Sequence, residues 1–307
     1  MKLPQRFDVG VATHTGIVRS TNEDDYLLLA PPKGLPCELV VAIADGMGGV
    51  SGGAEASRSG LRGFASGLLA ATTDAANQAA LEAAMRQGFK TACNRVQEQA
   101  SAVPALRDMG TTLTVLLFRE QDLVIGHVGD CRAYRLRDSR LVQLTLDHAS
   151  REQQNRLLRV IGGSQAEAAP DIERTHLMVG DRLLLCSDGV WSTVTDERLS
   201  ELLGKSGAQA AADQILQQAI GAGGPDNGTA LVVHVVQDRA SGNWVDRQLP
   251  REESSRVAEL SRQTRGPQRP AWPWFLLATA LILFVLLCLQ WFMGLDFWGW
   301  LRAQFYG

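Results

Sequence analysis

Short apolar runs of strand length follow one another in this chain with few helices between them, and that grouping narrows its fold more than any other feature. The runs cover residues 7–12, 26–29, 39–44, 111–118, 122–128, 132–136, 141–145, 182–186 and 229–236. Helical periodicity is confined to about 54–69, 78–99, 196–203 and 208–220. Parallel strands need a crossover between neighbours, usually a helix. Consecutive strands with helices in pairs therefore predict an α+β domain built on antiparallel sheet. It spans residues 1–238.

Beyond that domain the composition changes twice. Residues 239–270 are polar and carry Arg239, Arg247, Arg251, Arg256, Arg262, Arg265 and Arg269, which reads as a juxtamembrane linker reaching about 30 Å. Residues 271–295 contain no charged side chain, and as a helix they would run roughly 37 Å, enough for a hydrocarbon core of about 30 Å. Trp272, Trp274 and Trp291 lie near its ends, where interfacial aromatics belong. We expect one C-terminal transmembrane helix, followed by a short extracytoplasmic tail over 296–307. The arginines before the span place the large domain in the cytoplasm, at a bacterial inner membrane. No apolar signal segment opens the chain.

A net charge of -3 gives a nucleic-acid backbone no basic surface to grip, so nucleic acid is not an expected partner. The five cysteines (Cys37, Cys93, Cys131, Cys186 and Cys288) form no metal-like or disulfide-like spacing and read as reduced, mostly buried thiols.

Three of the apolar runs abut an aspartate with glycine or asparagine beside it: LVVAIADGMGG at Asp45, RLLLCSDGV at Asp188 and GPDNGTALVV at Asp226. An aspartate at a strand end projects beyond the sheet, and a neighbouring glycine lets a backbone carbonyl come close. Carboxylate and carbonyl oxygens together suit a hard cation. Two bare carboxylates about 5 Å apart repel by about 3 kcal/mol at an effective dielectric near 20, so a cluster needs a cation or protons. Any one Asp-Gly pair is ordinarily a turn; two such pairs and an Asp-Asn, all at strand ends, are harder to dismiss as turns alone. Ahead of them, RSTNED supplies Arg19, whose planar fork suits phosphate oxygens, with Glu23 and Asp24 as further acids.

The ordered set RSTNED, ADGMGG, MGTT (109–112), HVGDCRAY (127–134), LTLDH (144–148), CSDGV and GPDN resembles the bacterial PPM, or protein phosphatase 2C-like, family over about 7–236. The resemblance implies a four-layer αββα sandwich of two antiparallel sheets flanked by helices. It also implies a Ser/Thr protein phosphatase using two divalent cations, Mn2+ or Mg2+, with a third bound more weakly. By position, Asp45 would bridge both metals, the Gly46 carbonyl would join the second, and Asp188 and Asp226 would complete the first. Glu23, with Asp24 beside it, would act on the second metal through water. Asp130 would hold the third, and Arg19 the substrate phosphate. Phosphorylated proteins, and a cognate Ser/Thr kinase whose work is reversed, are the implied partners.

Three departures stand out. Met47 follows the first Asp-Gly where many eukaryotic members have histidine, which leaves the general acid unassigned. Cys131 replaces a serine and puts a thiol near the metals, open to oxidation. The segment after His148, usually a flap, is short, and His148 itself reads as structural; neither His14 nor His127 receives a catalytic role. The competing expectation is a pseudophosphatase, a membrane scaffold that binds phosphoproteins without turning them over.

Overall fold

The computed structural model describes residues 3–30, 37–71, 78–150, 156–163, 169–205, 207–237 and 244–245. The expected linker lies outside these apart from 244–245, and the whole expected membrane span and tail lie outside them. Among the described residues no helix is long and apolar enough to cross a membrane.

The main strands, in chain order, are β1 (Phe7–His14), β2 (Asp24–Leu29), β3 (Leu39–Met47), β4 (Leu113–Arg119), β5 (Asp122–Val128), β6 (Arg132–Arg137), β7 (Arg140–Gln143), β8 (Asp171–His176), β9 (Arg182–Cys186) and β10 (Gly228–Val235). The helices are α1 (Gly49–Ala70), α2 (Gln78–Ala102), α3 (Asp188–Trp191), α4 (Asp196–Lys205) and α5 (Ala208–Gly221). Every pairing among the described residues is antiparallel. One sheet runs β2-β3-β4-β5-β8, with short strands Gly110–Thr111 and Ile161–Gly162 joined at the end of β3; the other runs β1-β10-β9-β6-β7.

The strand period of two separates the layers. On β3, Val40, Ala42 and Ala44 face the layer of α1 and α2, where Phe64 and Phe89 meet edge to face at 5.5 Å. Leu39, Val41 and Ile43 point the other way, into a core shared with Val9, Val11, Leu183, Leu185, Leu231 and Val233 of the second sheet. Phe7 and Phe118 close that inter-sheet core with ring centroids 4.9 Å apart. On the far side, Leu184, Cys186, Ala230 and Val232 pack against Leu199, Leu203 and Ile215 of α4 and α5. Helix, sheet, sheet, helix is the expected sandwich. The compact unit runs Met1–Arg247, and its last ladder pairs Trp244–Val245 with Leu3–Pro4, inside the segment the sequence assigns to linker.

Two differences have local causes. The first helix begins at Gly49 rather than near 54, although GVSGG has poor helix propensity. Packing explains it, because a Cβ on Gly53 would meet the Glu23 carboxylate at 2.5 Å and one on Gly52 would meet Met109 at 3.2 Å. The strand β8 escapes the sequence because DIERTH is an edge strand with little apolar alternation and no buried residue.

Candidate active site

The sandwich brings the same ends of both sheets together. In one sheet Asp24 stands directly opposite Asp45; in the other Cys186 stands opposite Ala230, so the turns holding Asp188 and Asp226 emerge side by side. Asp24 links the sheets: its Oδ2 accepts hydrogen bonds from Ser187 Oγ and Thr229 Oγ1, both at 2.7 Å. Its Oδ1 is buried and has no hydrogen-bond partner among the described residues. Asp45 is fixed through its backbone, its N–H donating to Thr112 Oγ1 at 2.8 Å and its carbonyl accepting from Thr112 N–H at 2.8 Å and Thr111 Oγ1 at 2.9 Å.

These carboxyls feel one another. Burial first, and then the charges of Asp24, Asp188, Asp130 and Asp226, hold the Asp45 carboxyl well above the usual carboxylate range. Burial and Asp226 push Asp188 up as well, against the pull of a hydrogen bond with Asp45. Asp24 is raised to about 7 by burial, despite its two hydroxyl donors. Asp130 is also raised to about 7, by burial and then by Asp188 and Asp147. Glu23 is pushed up chiefly by burial, while Arg19 pulls it down. Such a set suits oxygen-seeking cations: several acids that disfavour ionisation together, and a buried carboxylate oxygen without a donor.

The glycines beside the aspartates work by close approach. A Cβ on Gly46 would lie 2.0 Å from the Gly53 carbonyl, and one on Gly189 would lie 2.0 Å from the Asn227 carbonyl. Asn227 itself, to which the sequence reading gives no role, ties three segments. Its Oδ1 accepts from Glu23 N–H at 2.8 Å, and its Nδ2 donates to the Thr15 and Thr21 carbonyls at 2.8 and 2.9 Å. Ile17 N–H adds a bond to the Gly224 carbonyl at 2.8 Å. Together these lay the 15–23 loop across the Asp226 turn. An amide beside a candidate ligand, with donors and an acceptor at once, was the available signal.

The acids do not form a simple ligand cage. Arg19, half exposed, pairs with Asp226 Oδ2 at 2.6 Å. Among the described residues, no three His, Cys, Asp or Glu side chains are drawn together tightly enough to hold an ion. The reason is visible in the partners: Asp226 is turned to Arg19, and Asp24 Oδ2 to Ser187 and Thr229. Asp45 and Asp188 meet each other, with Asp130 coupled to them through charge; its carbonyl accepts from Trp191 Nε1 at 3.0 Å.

The nearby histidines are each held by hydrogen bonds. His148, buried, accepts from Gly129 N–H through Nδ1 at 3.2 Å and meets Asp171 Oδ2 through Nε2 at 2.9 Å. His127 bonds Thr114 Oγ1 at 2.9 Å and the Leu146 carbonyl at 3.2 Å. His14 Nδ1 accepts from Gly16 N–H at 2.9 Å, within its own loop. Cys131 is fully buried, 3.1 Å from Thr112 Oγ1, and burial holds its thiol well above the ordinary range. That corrects the expectation of an oxidation-prone thiol, since oxidation needs thiolate and access. Of the other cysteines, Cys93 and Cys186 are buried and Cys37 is partly so; Cys288 lies outside the described residues. The segment after His148 forms a short ladder, Ala149–Ser150 against Arg156–Leu157.

The protein phosphatase 2C family signature matches residues 15–222. The chain is 32% identical over 238 residues to the serine/threonine protein phosphatase PstP of Mycobacterium tuberculosis, covering 72% of this chain but only 43% of that protein. It thus spans less than half the length of this relative. It is 30% identical over 239 residues to the serine/threonine phosphatase stp of Listeria welshimeri, covering 72% of this chain and 93% of the relative. The solved catalytic domain of PstP, in complex with two manganese ions, superposes with a TM-score of 0.62 at 32% identity, covering 75% of this chain and 99% of that one.

Proposed function

We propose that this chain, which belongs to the protein phosphatase 2C family, is a Ser/Thr protein phosphatase that hydrolyses phosphoserine and phosphothreonine with two divalent cations, Mn2+ or Mg2+. The observation that carries the reading is the convergence of Asp24, Asp45, Asp130 and Asp188 at the joined sheet ends, with Asp226 and Arg19 at the rim. Asp45, Asp188, Asp226 and the Gly46 carbonyl would hold the cations, with Glu23 and Asp24 outside them and Asp130 serving a weaker third. When bound there, the cations would supply Lewis-acid chemistry, lowering the pKa of a water so that it could attack near neutral pH and offsetting charge on phosphate oxygens.

The chain's own groups supply the rest. Arg19 is half exposed, so its fork can leave Asp226 for two phosphate oxygens and release that carboxylate inward. Hydrolysis forms a bond from a water oxygen to phosphorus and breaks the bond to the serine or threonine oxygen, which leaves with a proton as the hydroxyl. Arg19 stabilises the charge that spreads over the phosphoryl oxygens as that bond breaks. No covalent enzyme intermediate is needed, and the buried Cys131 and Cys186 are unsuited to form one.

Residues 271–295 would anchor the enzyme at the cytoplasmic face of an inner membrane, where a Ser/Thr kinase would supply its substrates. The scaffold alternative would need a lost ligand, and the two-cation set is intact in sequence. The test is phosphate release from a phosphothreonine peptide by the full chain with Mn2+. Asp45→Asn and Asp188→Asn should each lower the rate by at least about 100-fold, since even outer-shell changes cost 10–100-fold. Equal rates in wild type and both variants would sink the enzyme reading.

A further inference from the structure

Asp171, on the edge strand β8, makes contacts that the reaction does not account for. Its Oδ2 meets His148 Nε2 at 2.9 Å, and its Oδ1 accepts from Arg159 Nη1 at 2.7 Å. His148 commits every hydrogen-bonding group it has. Its N–H donates to the Gly129 carbonyl at 2.7 Å, its carbonyl accepts from Leu158 N–H at 2.7 Å, and its Nδ1 accepts from Gly129 N–H at 3.2 Å. An imidazole that accepts at Nδ1 must carry its proton at Nε2, so Nε2–H donates to Asp171. Gly129, held at both its N–H and its carbonyl, has φ +114 and lies so close to Thr112 that a Cβ would meet that side chain at 2.5 Å. The next residue is Asp130.

We propose that Asp171 is a positioning residue: by accepting the Nε2 proton it fixes the His148 tautomer that grips Gly129, and so holds the turn that presents Asp130. The consequence for catalysis rests on the reading of Asp130 as ligand of the weaker cation. An alanine leaves His148 free to carry its proton on Nδ1, which would turn a donor toward the Gly129 N–H and break the grip. Arg159 shares the carboxylate but does not touch Gly129, so it separates a tautomer effect from loss of an ion pair.

The experiment compares the full chain with Asp171→Ala and Arg159→Ala. Asp171 is 42% exposed at the side chain and sits on an edge strand, so its removal leaves the core intact. Gly129 amide exchange by NMR should accelerate about tenfold in Asp171→Ala and stay near wild type in Arg159→Ala. The Mn2+ concentration for half-maximal phosphopeptide hydrolysis should rise roughly tenfold in Asp171→Ala alone. Unchanged Gly129 exchange in Asp171→Ala, or equal acceleration in both variants, overturns the proposal. Faster exchange with unchanged Mn2+ dependence upholds the positioning role and removes the cation role from Asp130.

Discussion

Asn227 shows how one amide can organise a site made of acids. Four aspartates can be neighbours only if the backbone that carries them is held from outside the charge, and Asn227 does so with one acceptor and two donors. Asn227→Ala leaves the Glu23 N–H and two carbonyls to find other partners. It should cost about 1–3 kcal/mol by urea unfolding and reduce turnover, the range for one polar group left unpaired, since the exposed Thr21 carbonyl and the partly exposed Thr15 carbonyl can turn to water. An unchanged midpoint would show that water replaces the amide. Asp45 and Asp188 were legible in sequence because each stands at a strand end beside glycine, and Asp226 because it stands beside asparagine ahead of a strand; Asp24 came from the acidic run after Arg19 and Asp130 from the family resemblance. Asn227 was not, since its partners come from loops some 200 positions earlier, at |i−j| of 204, 206 and 212. Nor was the pairing of Arg19 with Asp226, for the same reason.

At the scale of elements, strands with a buried face were readable to within a few residues, because period two in apolar side chains is what two packed sheets require. Strand β8 and the 188–191 turn of helix lacked that signal and were missed. Strand β5 carries a further consequence in His127. Burial first, then His148, lowers its ring to about 4. The folded value lies below the unfolded value near 6.5, so the unfolded chain binds the extra proton between them. The stability owed to the neutral ring is therefore complete above pH 6.5 and is lost as pH falls through about 4. Urea unfolding at pH 7.5 and 4.5 should show a fall of roughly 3 kcal/mol from this ring. In His127→Gln that part of the pH dependence should disappear, even though its stability at pH 7.5 is lower. An undiminished slope in the variant would assign the acid sensitivity elsewhere.

For the molecule as a whole, the sandwich explains why the site lies where it does. Two sheets that share one core, Leu39 to Val233, bring their strand ends into one rim, and Asp24 reaches across it to Ser187 and Thr229. Placement at a membrane is a separate expectation, carried by residues 271–295. A reporter fused after Gly307 should behave as extracytoplasmic, and a cytoplasmic signal would refute the orientation. The central claim concerns the acids: that Asp45 and its neighbours form a two-cation site. Isothermal titration of the full chain with Mn2+ tests it most directly. About two ions should bind per chain under conditions that exclude the weaker site, and Asp45→Asn should lose them both or hold only one. No binding to the wild type, or identical stoichiometry and affinity in Asp45→Asn, would contradict the account.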